Sequence, residues 1–225
     1  MSGKRIAFIT GSSRGIGFAI AKHFSNKGWD VITHSRSPNA PPFSSMHLEA
    51  DLTIENHRIG LIKEIKKHYR ELHLLVHNAG IFLPSLISEK ETTQELRELL
   101  EVHVIAVQHL TSELLPIMPA KSNIVVISSI AALRPYLPGS AYSVAKAAER
   151  MLGLCLREEL KDREIGVHII NPGPVLTDSW AGINLPPERF SSTQDLAQIV
   201  DLIVRLSPRT IPEEITLNPM QGPIE

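Results

Sequence analysis

The chain has 225 residues, of which 43% are hydrophobic, so it can bury a substantial core and is most simply one domain over residues 1–225. Its formal net charge of -1 argues against nucleic acid or a membrane surface as a partner. Cys155 is the only cysteine, which excludes an intrachain disulfide and favours a reducing compartment. The first apolar run, Ile6–Thr10, is too short for a signal peptide or a membrane span, so we expect a cytoplasmic protein.

Short apolar runs alternate with longer amphipathic segments along the chain. The apolar runs predict buried strands at Ile6–Thr10, Asp30–His34, Met46–Ala50, Leu72–His77, Ile124–Ser128, Val167–Asn171 and Ile215–Leu217. The amphipathic segments predict helices near Gly15–Lys27, Ile54–His68, Thr93–Pro116, Ser140–Lys161 and Thr193–Leu206. Loops are expected at Ser35–Ser45 and Asp178–Ser192. This alternation predicts an α/β fold, a Rossmann-like, doubly wound parallel sheet of about seven strands with helices on both faces. Such sheets bind ligands at the carboxyl ends of their strands.

The first predicted strand runs directly into the glycine-rich turn Gly11-Ser-Ser-Arg-Gly-Ile-Gly17. Backbone N–H groups of such a turn can approach a pyrophosphate, and the following helix N-terminus adds partial positive charge. The spacing differs from the commonest dinucleotide fingerprint, and an ordinary strand-to-helix turn is the alternative. Its place at the first turn favours a nucleotide, held by Gly11, Ser13, Arg14, Gly15, Ile16 and Gly17.

The second predicted strand ends in Thr33-His34-Ser35-Arg36, without the carboxylate that would bind a ribose hydroxyl. Arg36 there and Arg14 in the glycine turn can both reach a 2′-phosphate. The two arginines therefore favour NADP(H) over NAD(H) as the cofactor. The alternative is that both are solvent-exposed loop charges.

Two later predicted strands are also followed by polar or small residues that could contact a nucleotide. Asp51 follows the third strand, where its carboxylate can bind an adenine edge. Asn78, Ala79 and Gly80 follow the fourth, where small residues permit close approach to a ribose. Each could be turn chemistry alone, but their placement at successive strand ends supports a nucleotide site.

Tyr142 and Lys146 lie four residues apart on one predicted helix, and Ser129 precedes the tyrosine by thirteen residues. An ammonium beside a phenol favours the phenolate, so we expect the Tyr142 pKa to fall from about 10 toward a working pH. Such a phenol can act as general acid or base in an alcohol–ketone interconversion. Alone, the spacing also occurs on many solvated helices.

These segments and Asn171–Thr177 occur in an order that resembles the short-chain dehydrogenase/reductase family over nearly the whole chain. The resemblance implies an NADP(H)-dependent oxidoreductase acting on a small-molecule carbonyl or alcohol. It also implies a homodimer or homotetramer, assembled through the helices at Thr93–Pro116 and Ser140–Lys161.

The same resemblance implies roles for individual residues. Tyr142 would donate or accept the proton, Ser129 would polarise the substrate oxygen, and Lys146 would bind the nicotinamide ribose and lower the tyrosine pKa. Further cofactor contacts are implied at Asp51, Leu52, Tyr142, Lys146, Pro172, Gly173, Val175 and Thr177.

One residue departs from the family pattern. The family usually carries an asparagine in the helix after the fourth strand, where it supports a water in the proton relay, and His103 stands there in this chain. His103 falls on the apolar stripe of the predicted helix. We expect a buried His103 to bind that water through a ring nitrogen and to serve the relay, and a satisfied core histidine is the alternative.

Other functions fit the sequence less well. His73 and His77 lack further ligands for a metal, so no metal site is expected. No Gly-x-Ser-x-Gly or phosphate-loop Lys-Ser/Thr occurs, which argues against a serine hydrolase and an NTPase. An NADP(H)-binding regulator or scaffold with weak or no catalysis remains the rival, and isomerase- or dehydratase-like chemistry is also open. Trp180, Tyr136 and Leu137 line a substrate pocket or pack as a lid, and Cys155 is expected in the core.

Overall fold

The computed structural model describes residues 4–90, 92–137, 139–180, 182 and 185–222. Within these residues, strands run in the order β1 (Ile6–Ile9), β2 (Asp30–Ser35), β3 (Met46–Glu49), β4 (Leu74–His77), β5 (Asn123–Ile127), β6 (Gly166–Pro172) and β7 (Glu214–Leu217). Helices are α1 (Gly15–Asn26), α2 (Glu55–His68), α3 (Thr92–Leu100), α4 (Ala106–Leu114), α5 (Ser140–Leu160) and α6 (Thr193–Arg205). None of the helices in this part of the chain is long and apolar enough to cross a membrane.

The strands form one seven-stranded sheet in the order β3-β2-β1-β4-β5-β6-β7, and every pair is parallel. Successive residues of a strand face opposite sides. Phe8 of β1 packs into a core with helices α2, α4 and α5, whereas its neighbours Ala7 and Ile9 pack into a second core with α1 and α6. Helices therefore cover both faces, and the predicted doubly wound architecture is confirmed.

The predicted strands are confirmed within two residues at each end, but the expectation that all of them are buried is wrong for two. β3 and β7 are half-buried along most of their length. Both lie at the ends of the sheet order, so each has a strand neighbour on one side only. In β3 the polar residues His47 and Glu49 alternate with apolar ones, which is the pattern of a half-buried strand.

The helix predicted from Thr93 to Pro116 is interrupted. A five-residue π-helical segment, Glu101–Ile105, separates α3 from α4, and a short 3-10 turn at Leu115–Ile117 ends the run. A π turn accommodates an extra residue, and such turns often occur at functional sites. Val102 and His103, adjacent in sequence, are both buried in this segment.

Cys155 is exposed, so the prediction that it lies in the core is wrong. The inward face of α5 at this level carries Gly153 and Leu156. Cys155 precedes Leu156 by about 100° of helical rotation, which turns its side chain toward solvent. A Cβ on Gly153 would lie 2.9 Å from Ile169 Cγ1, so β6 packs directly against the helix backbone there.

Two predicted loops are also present. Residues 36–45 connect β2 to β3. The predicted loop Asp178–Ser192 includes residues 181, 183 and 184, which lie outside the described residues. Its described part contains short 3-10 turns at Asp178–Trp180 and Pro187–Arg189.

Candidate active site

The turn between β1 and α1 requires glycine at its close contacts. Gly11 and Gly15 have φ values of +63° and +59°, in the left-handed region that side chains rarely adopt. A Cβ on Gly11 would lie 2.8 Å from Ala79 Cα, at the end of β4. A Cβ on Gly17 would collide with the Asn78 amide and the Gly11 carbonyl oxygen. The turn is therefore held against the neighbouring strand by backbone contact.

Asn78, which follows β4, forms hydrogen bonds to this turn. Its Nδ2 donates to the carbonyl oxygens of Thr10, at 2.9 Å, and Gly11, at 3.0 Å. The Thr10 hydroxyl accepts hydrogen bonds from the backbone N–H groups of Asn78, at 2.9 Å, and Ala79, at 3.0 Å. Because its side-chain nitrogen is engaged in the turn, the Asn78–Gly80 segment offers a ligand chiefly its backbone and its small side chains.

His34 joins the same turn to the end of β3, and sequence reasoning assigned it no role. Its Nδ1 accepts from the Gly11 N–H at 3.1 Å, and its Nε2 lies 3.1 Å from the Ala50 carbonyl oxygen. An amide donor on one side and a carbonyl acceptor on the other require the neutral Nε2–H tautomer. Burial lowers the pKa of His34 to about 4, which keeps the ring neutral.

Asp51 is held by its own turn. Its Oδ1 accepts from the Thr53 backbone N–H at 2.9 Å and from the Thr53 hydroxyl at 2.7 Å. Burial raises the pKa of Asp51, but these hydrogen bonds and the positive charge of Arg36 outweigh burial, and the pKa is lowered overall. Arg36 and Arg14 are both exposed, and no ion pair within the described residues engages either.

Ser129, Tyr142 and Lys146 are brought together as predicted. Ser129 follows β5, and its Oγ accepts from the Ala131 N–H at 3.1 Å, which leaves its own O–H proton available to another partner. Ser129 lies near enough to Tyr142 to lower the pKa of its phenol. Tyr142 and Lys146 lie one turn apart on α5, with Lys146 Nζ 5.8 Å from the centre of the tyrosine ring.

The expectation that Lys146 leaves Tyr142 with a lowered pKa is wrong for this structure. Burial, the largest effect, raises the pKa of the Tyr142 phenol. Lys146 and Ser129 lower it, but Glu149 raises it again, and the net direction is upward. Burial lowers the pKa of Lys146, but Glu149 and Tyr142 outweigh burial, and it is raised overall. The resting pair is therefore a neutral phenol beside an ammonium.

His103 contacts this pair but is not free to hold a water. It is buried, and its ring meets the Tyr142 ring edge-on, with centroids 5.7 Å apart. Its Nε2 lies 3.0 Å from the Ile81 carbonyl oxygen and its Nδ1 lies 3.2 Å from Glu149 Oε1. The expected free ring nitrogen is thus absent, because both nitrogens have protein partners.

Glu149 is the second residue that sequence reasoning missed. It is buried on α5, with Oε2 2.8 Å from Lys146 Nζ. Burial raises its pKa, but Lys146 and His103 outweigh burial and lower it, so the carboxylate is ionised. The available signal was an acidic residue three positions after Lys146, on the face that α5 turns inward.

The segment after β6 closes the site opposite the glycine turn. The Gly173 N–H donates to the Leu217 carbonyl oxygen at 2.7 Å, and Val175 forms a parallel bridge with Ser191. Thr177 reaches the turn itself, since a Cβ on Gly15 would lie 3.3 Å from Thr177 Cγ2. Pro172 ends β6 and is buried.

These parts surround one cavity of about 540 Å³ at the carboxyl ends of the strands. Of the predicted site residues, only Gly17 does not line it. The others all do: Gly11, Ser13, Arg14, Gly15, Ile16, Arg36, Asp51, Leu52, Asn78, Ala79, Gly80, His103, Ser129, Tyr142, Lys146, Pro172, Gly173, Val175 and Thr177. Gly17 instead supports the turn from within.

Aromatic side chains line the cavity near Tyr142. Phe82 meets the Tyr142 ring edge-on at 5.2 Å and lies 6.0 Å from the ring of Tyr136. Tyr136 and Trp180 line the cavity, which is one of the two alternatives that the sequence left open for them. Leu137 is 68% exposed and is not part of the lining.

No metal site is formed among the described residues, where no group of three or more His, Cys, Asp or Glu side chains is suitably placed. The two histidines considered from sequence have other partners. His73 Nδ1 accepts from the Ile6 N–H at 3.2 Å, and His77 Nε2 lies 2.8 Å from the Thr111 hydroxyl.

Comparison with known proteins gives consistent matches. The sequence profile of a family described as short chain dehydrogenase matches residues 5–187. A serine 3-dehydrogenase from Agrobacterium fabrum is 30% identical over 178 residues, 76% of this chain and 72% of that protein. A 3-oxoacyl-(acyl-carrier-protein) reductase from Haemophilus influenzae is 30% identical over 219 residues, 89% of this chain and 90% of that protein. A solved short chain dehydrogenase from Burkholderia cenocepacia in complex with NADP has a TM-score of 0.85 at 26% identity and covers 96% of both chains.

The buried histidines predict how stability depends on pH. The pKa of His34 and that of His77 are each lowered from 6.5 to about 4. The unfolded chain therefore binds protons that the folded chain does not, and the free energy of unfolding should fall as the pH drops from 6.5 toward 4. The full shift of one histidine corresponds to about 3 kcal/mol. Urea unfolding across this range measures the slope.

The double variant His34→Gln/His77→Gln should have a shallower slope, because glutamine does not titrate. His68→Gln is the matched control, since His68 lies on the surface of α2. An unchanged slope in the double variant would contradict the assignment.

Proposed function

This chain belongs to the short-chain dehydrogenase family, and we propose that it transfers a hydride between NADP(H) and a small carbonyl or secondary alcohol. One observation carries the proposal. Ser129, Tyr142 and Lys146 line the same cavity as the glycine turn, so a phenolic proton lies within one pocket with a cradle for a dinucleotide.

The shape of the turn supports the cofactor. Side chains at Gly11 and Gly17 would fill space beside the end of β4, and their absence lets backbone N–H groups approach a pyrophosphate. Gly11, Ser13, Arg14, Gly15 and Ile16 would hold the phosphates, with Asp51 and Leu52 at the adenine, Asn78 to Gly80 at the ribose, and Pro172, Gly173, Val175 and Thr177 near the nicotinamide. When bound, NADP(H) supplies or accepts the hydride.

The residues of the chain supply the proton. In the reducing direction the Tyr142 hydroxyl donates its proton to the substrate oxygen as the hydride reaches the substrate carbon, so a carbonyl becomes an alcohol. The Ser129 O–H, whose oxygen already accepts from Ala131, donates to the same substrate oxygen. The Lys146 ammonium stabilises the phenolate that remains. A resting phenol beside an ammonium is the proton-donating state that carbonyl reduction requires.

Tyr142→Phe should lower kcat for NADPH-dependent reduction by about 10²–10⁴-fold, the range for loss of general acid catalysis, while the NADPH Kd stays nearly unchanged. Turnover is measured as NADPH oxidation with a panel of aldehydes, ketones, quinones and keto-esters. Tyr69→Phe is the control, because Tyr69 lies at the end of α2, away from the cavity.

Undiminished turnover in Tyr142→Phe would contradict the mechanism. Tight NADPH binding by the wild-type protein without turnover on any carbonyl would favour the regulator or scaffold instead.

The two exposed arginines of the cavity support NADP(H) over NAD(H). Arg36→Ala should raise the KM for NADPH about tenfold and leave the KM for NADH nearly unchanged, because a hydrogen bond to a charged phosphate contributes about 1.5–3 kcal/mol. Parallel kinetics with both cofactors measure the ratio, with Arg209→Ala as an exposed arginine remote from the site. Equal or better wild-type rates with NADH would overturn this preference.

We also propose that the protein is a homodimer or homotetramer assembled through α5 and the helical run Thr93–Pro116, which contains the Glu101–Ile105 segment. Ile105, Val144 and Met151 are large apolar residues in these helices, with exposed fractions of 45%, 45% and 53%. Exposed apolar residues that form a patch mark interaction surfaces.

Met151→Glu should therefore shift the protein toward the monomer in sedimentation velocity, because burying a charge opposes association. Met220→Glu, at a fully exposed methionine elsewhere, should not. A monomeric wild-type protein would contradict the assembly.

A further inference from the structure

A buried carboxylate beside the proposed proton donor has no role in the mechanism given above. Glu149 lies on α5 one turn beyond Lys146 and is 1% exposed. Its Oε2 is 2.8 Å from Lys146 Nζ, and its Oε1 is 3.2 Å from His103 Nδ1. Each carboxylate oxygen therefore has its own nitrogen partner, one on α5 and one on the π-helical segment.

The surroundings supply further hydrogen-bond partners to this network. Lys146 Nζ also donates to the Ile127 carbonyl oxygen at 3.1 Å, and His103 Nε2 lies 3.0 Å from the Ile81 carbonyl oxygen. Burying an ion costs several kcal/mol, and hydrogen bonds to the Ile127 and Ile81 carbonyl oxygens offset part of that cost. The backbone also makes room for the network, because a Cβ on Gly80 would lie 2.5 Å from His103 Cε1.

We propose that Glu149 is a positioning residue for the reaction, and that Lys146, Glu149 and His103 act as one buried charged unit beside Tyr142. This inference rests on the function proposed above. Glu149 holds the ammonium next to the phenol and favours its protonated form in a buried position. His103 binds the other carboxylate oxygen, so that the carboxylate keeps its orientation toward Lys146.

The charge of Glu149 acts on every titratable group around it. Tyr142 and Lys146 face it from α5, and His103 faces it from the π-helical segment. His77 on β4 also feels this charge, but burial lowers the pKa of His77 to about 4, so it stays neutral at working pH. Removal of one negative charge makes each remaining proton of the unit easier to lose. The direction of the effect is therefore fixed, whichever group loses its proton first.

Glu149→Gln, which keeps the shape and removes the charge, tests this directly. Reduction requires both the Tyr142 proton and the Lys146 ammonium, so kcat declines on the alkaline side when the pair loses its first proton. We expect this decline to move about one pH unit or more to lower pH in the variant. The Lys146 titration is followed independently by NMR of isotope-labelled lysine, with the signal assigned by Lys146→Met, and its midpoint should fall by a similar amount.

Two further variants separate charge from structure. Glu149→Asp keeps the charge but is too short to span both partners, so it should leave the Lys146 midpoint near the wild-type value and lower kcat about tenfold. Asp201→Asn removes a buried carboxylate that pairs with His23, Lys27 and Arg205 far from Tyr142, and it should lower stability without moving either midpoint. NADPH added during the measurements stabilises weakened variants.

The outcomes distinguish the two proposals. A shifted Lys146 midpoint in a protein that reduces no carbonyl would support the role of Glu149 and overturn the proposed function. Carbonyl reduction with unshifted midpoints in Glu149→Gln would keep the function and overturn the role of Glu149. If Glu149→Gln does not fold, a wild-type kcat in Glu149→Asp overturns the positioning role.

Discussion

The parallel pairing of β1 with β4 is the constraint on which the rest of the site depends. It places two unlike strand ends side by side: the glycine turn after β1 and the Asn78–Gly80 segment after β4. The helices that come after these two strands cover opposite faces of the sheet, since α1 packs in one core and α4 in the other. A crevice therefore forms at the carboxyl ends of these two strands, between the segments that run to opposite faces. The close backbone contact at Gly11 then sets how far the two strand ends stand apart.

The charged unit of α5 depends on the same geometry. Gly80 ends the segment that Asn78 ties to the glycine turn, and the missing side chain of Gly80 leaves the space that the His103 ring occupies. His103 in turn reaches Glu149 because the π-helical segment carries it inward together with Val102. A continuous chain of contacts therefore links the glycine turn to Lys146 through Asn78, Gly80, His103 and Glu149.

Sequence reasoning predicted what depends on composition and chain order. Strands were identified because short apolar runs flanked by turn residues permit few other structures, and the predicted site residues line one cavity because parallel strands bring their carboxyl ends to one edge. It failed where the outcome depends on neighbours distant in sequence. Met46–Ala50 was predicted to be a buried strand, yet β3 has a partner on one side only and is half-buried. His34 was missed because its two partners, Gly11 and Ala50, lie on different strand ends.

The Tyr142–Lys146 pair shows why residue spacing fixes proximity but not the direction of a pKa shift. Four residues along a helix place an ammonium near a phenol, and that cation does lower the phenol pKa. Burial acts on the same phenol in the opposite direction and is the larger effect, because a phenolate loses more hydration than a neutral hydroxyl. Glu149 follows Lys146 by three residues and so shares its face of α5, where its charge offsets part of that of the lysine. The same carboxylate thus raises the pKa of the lysine and that of the tyrosine, which favours the charged ammonium and the protonated phenol together.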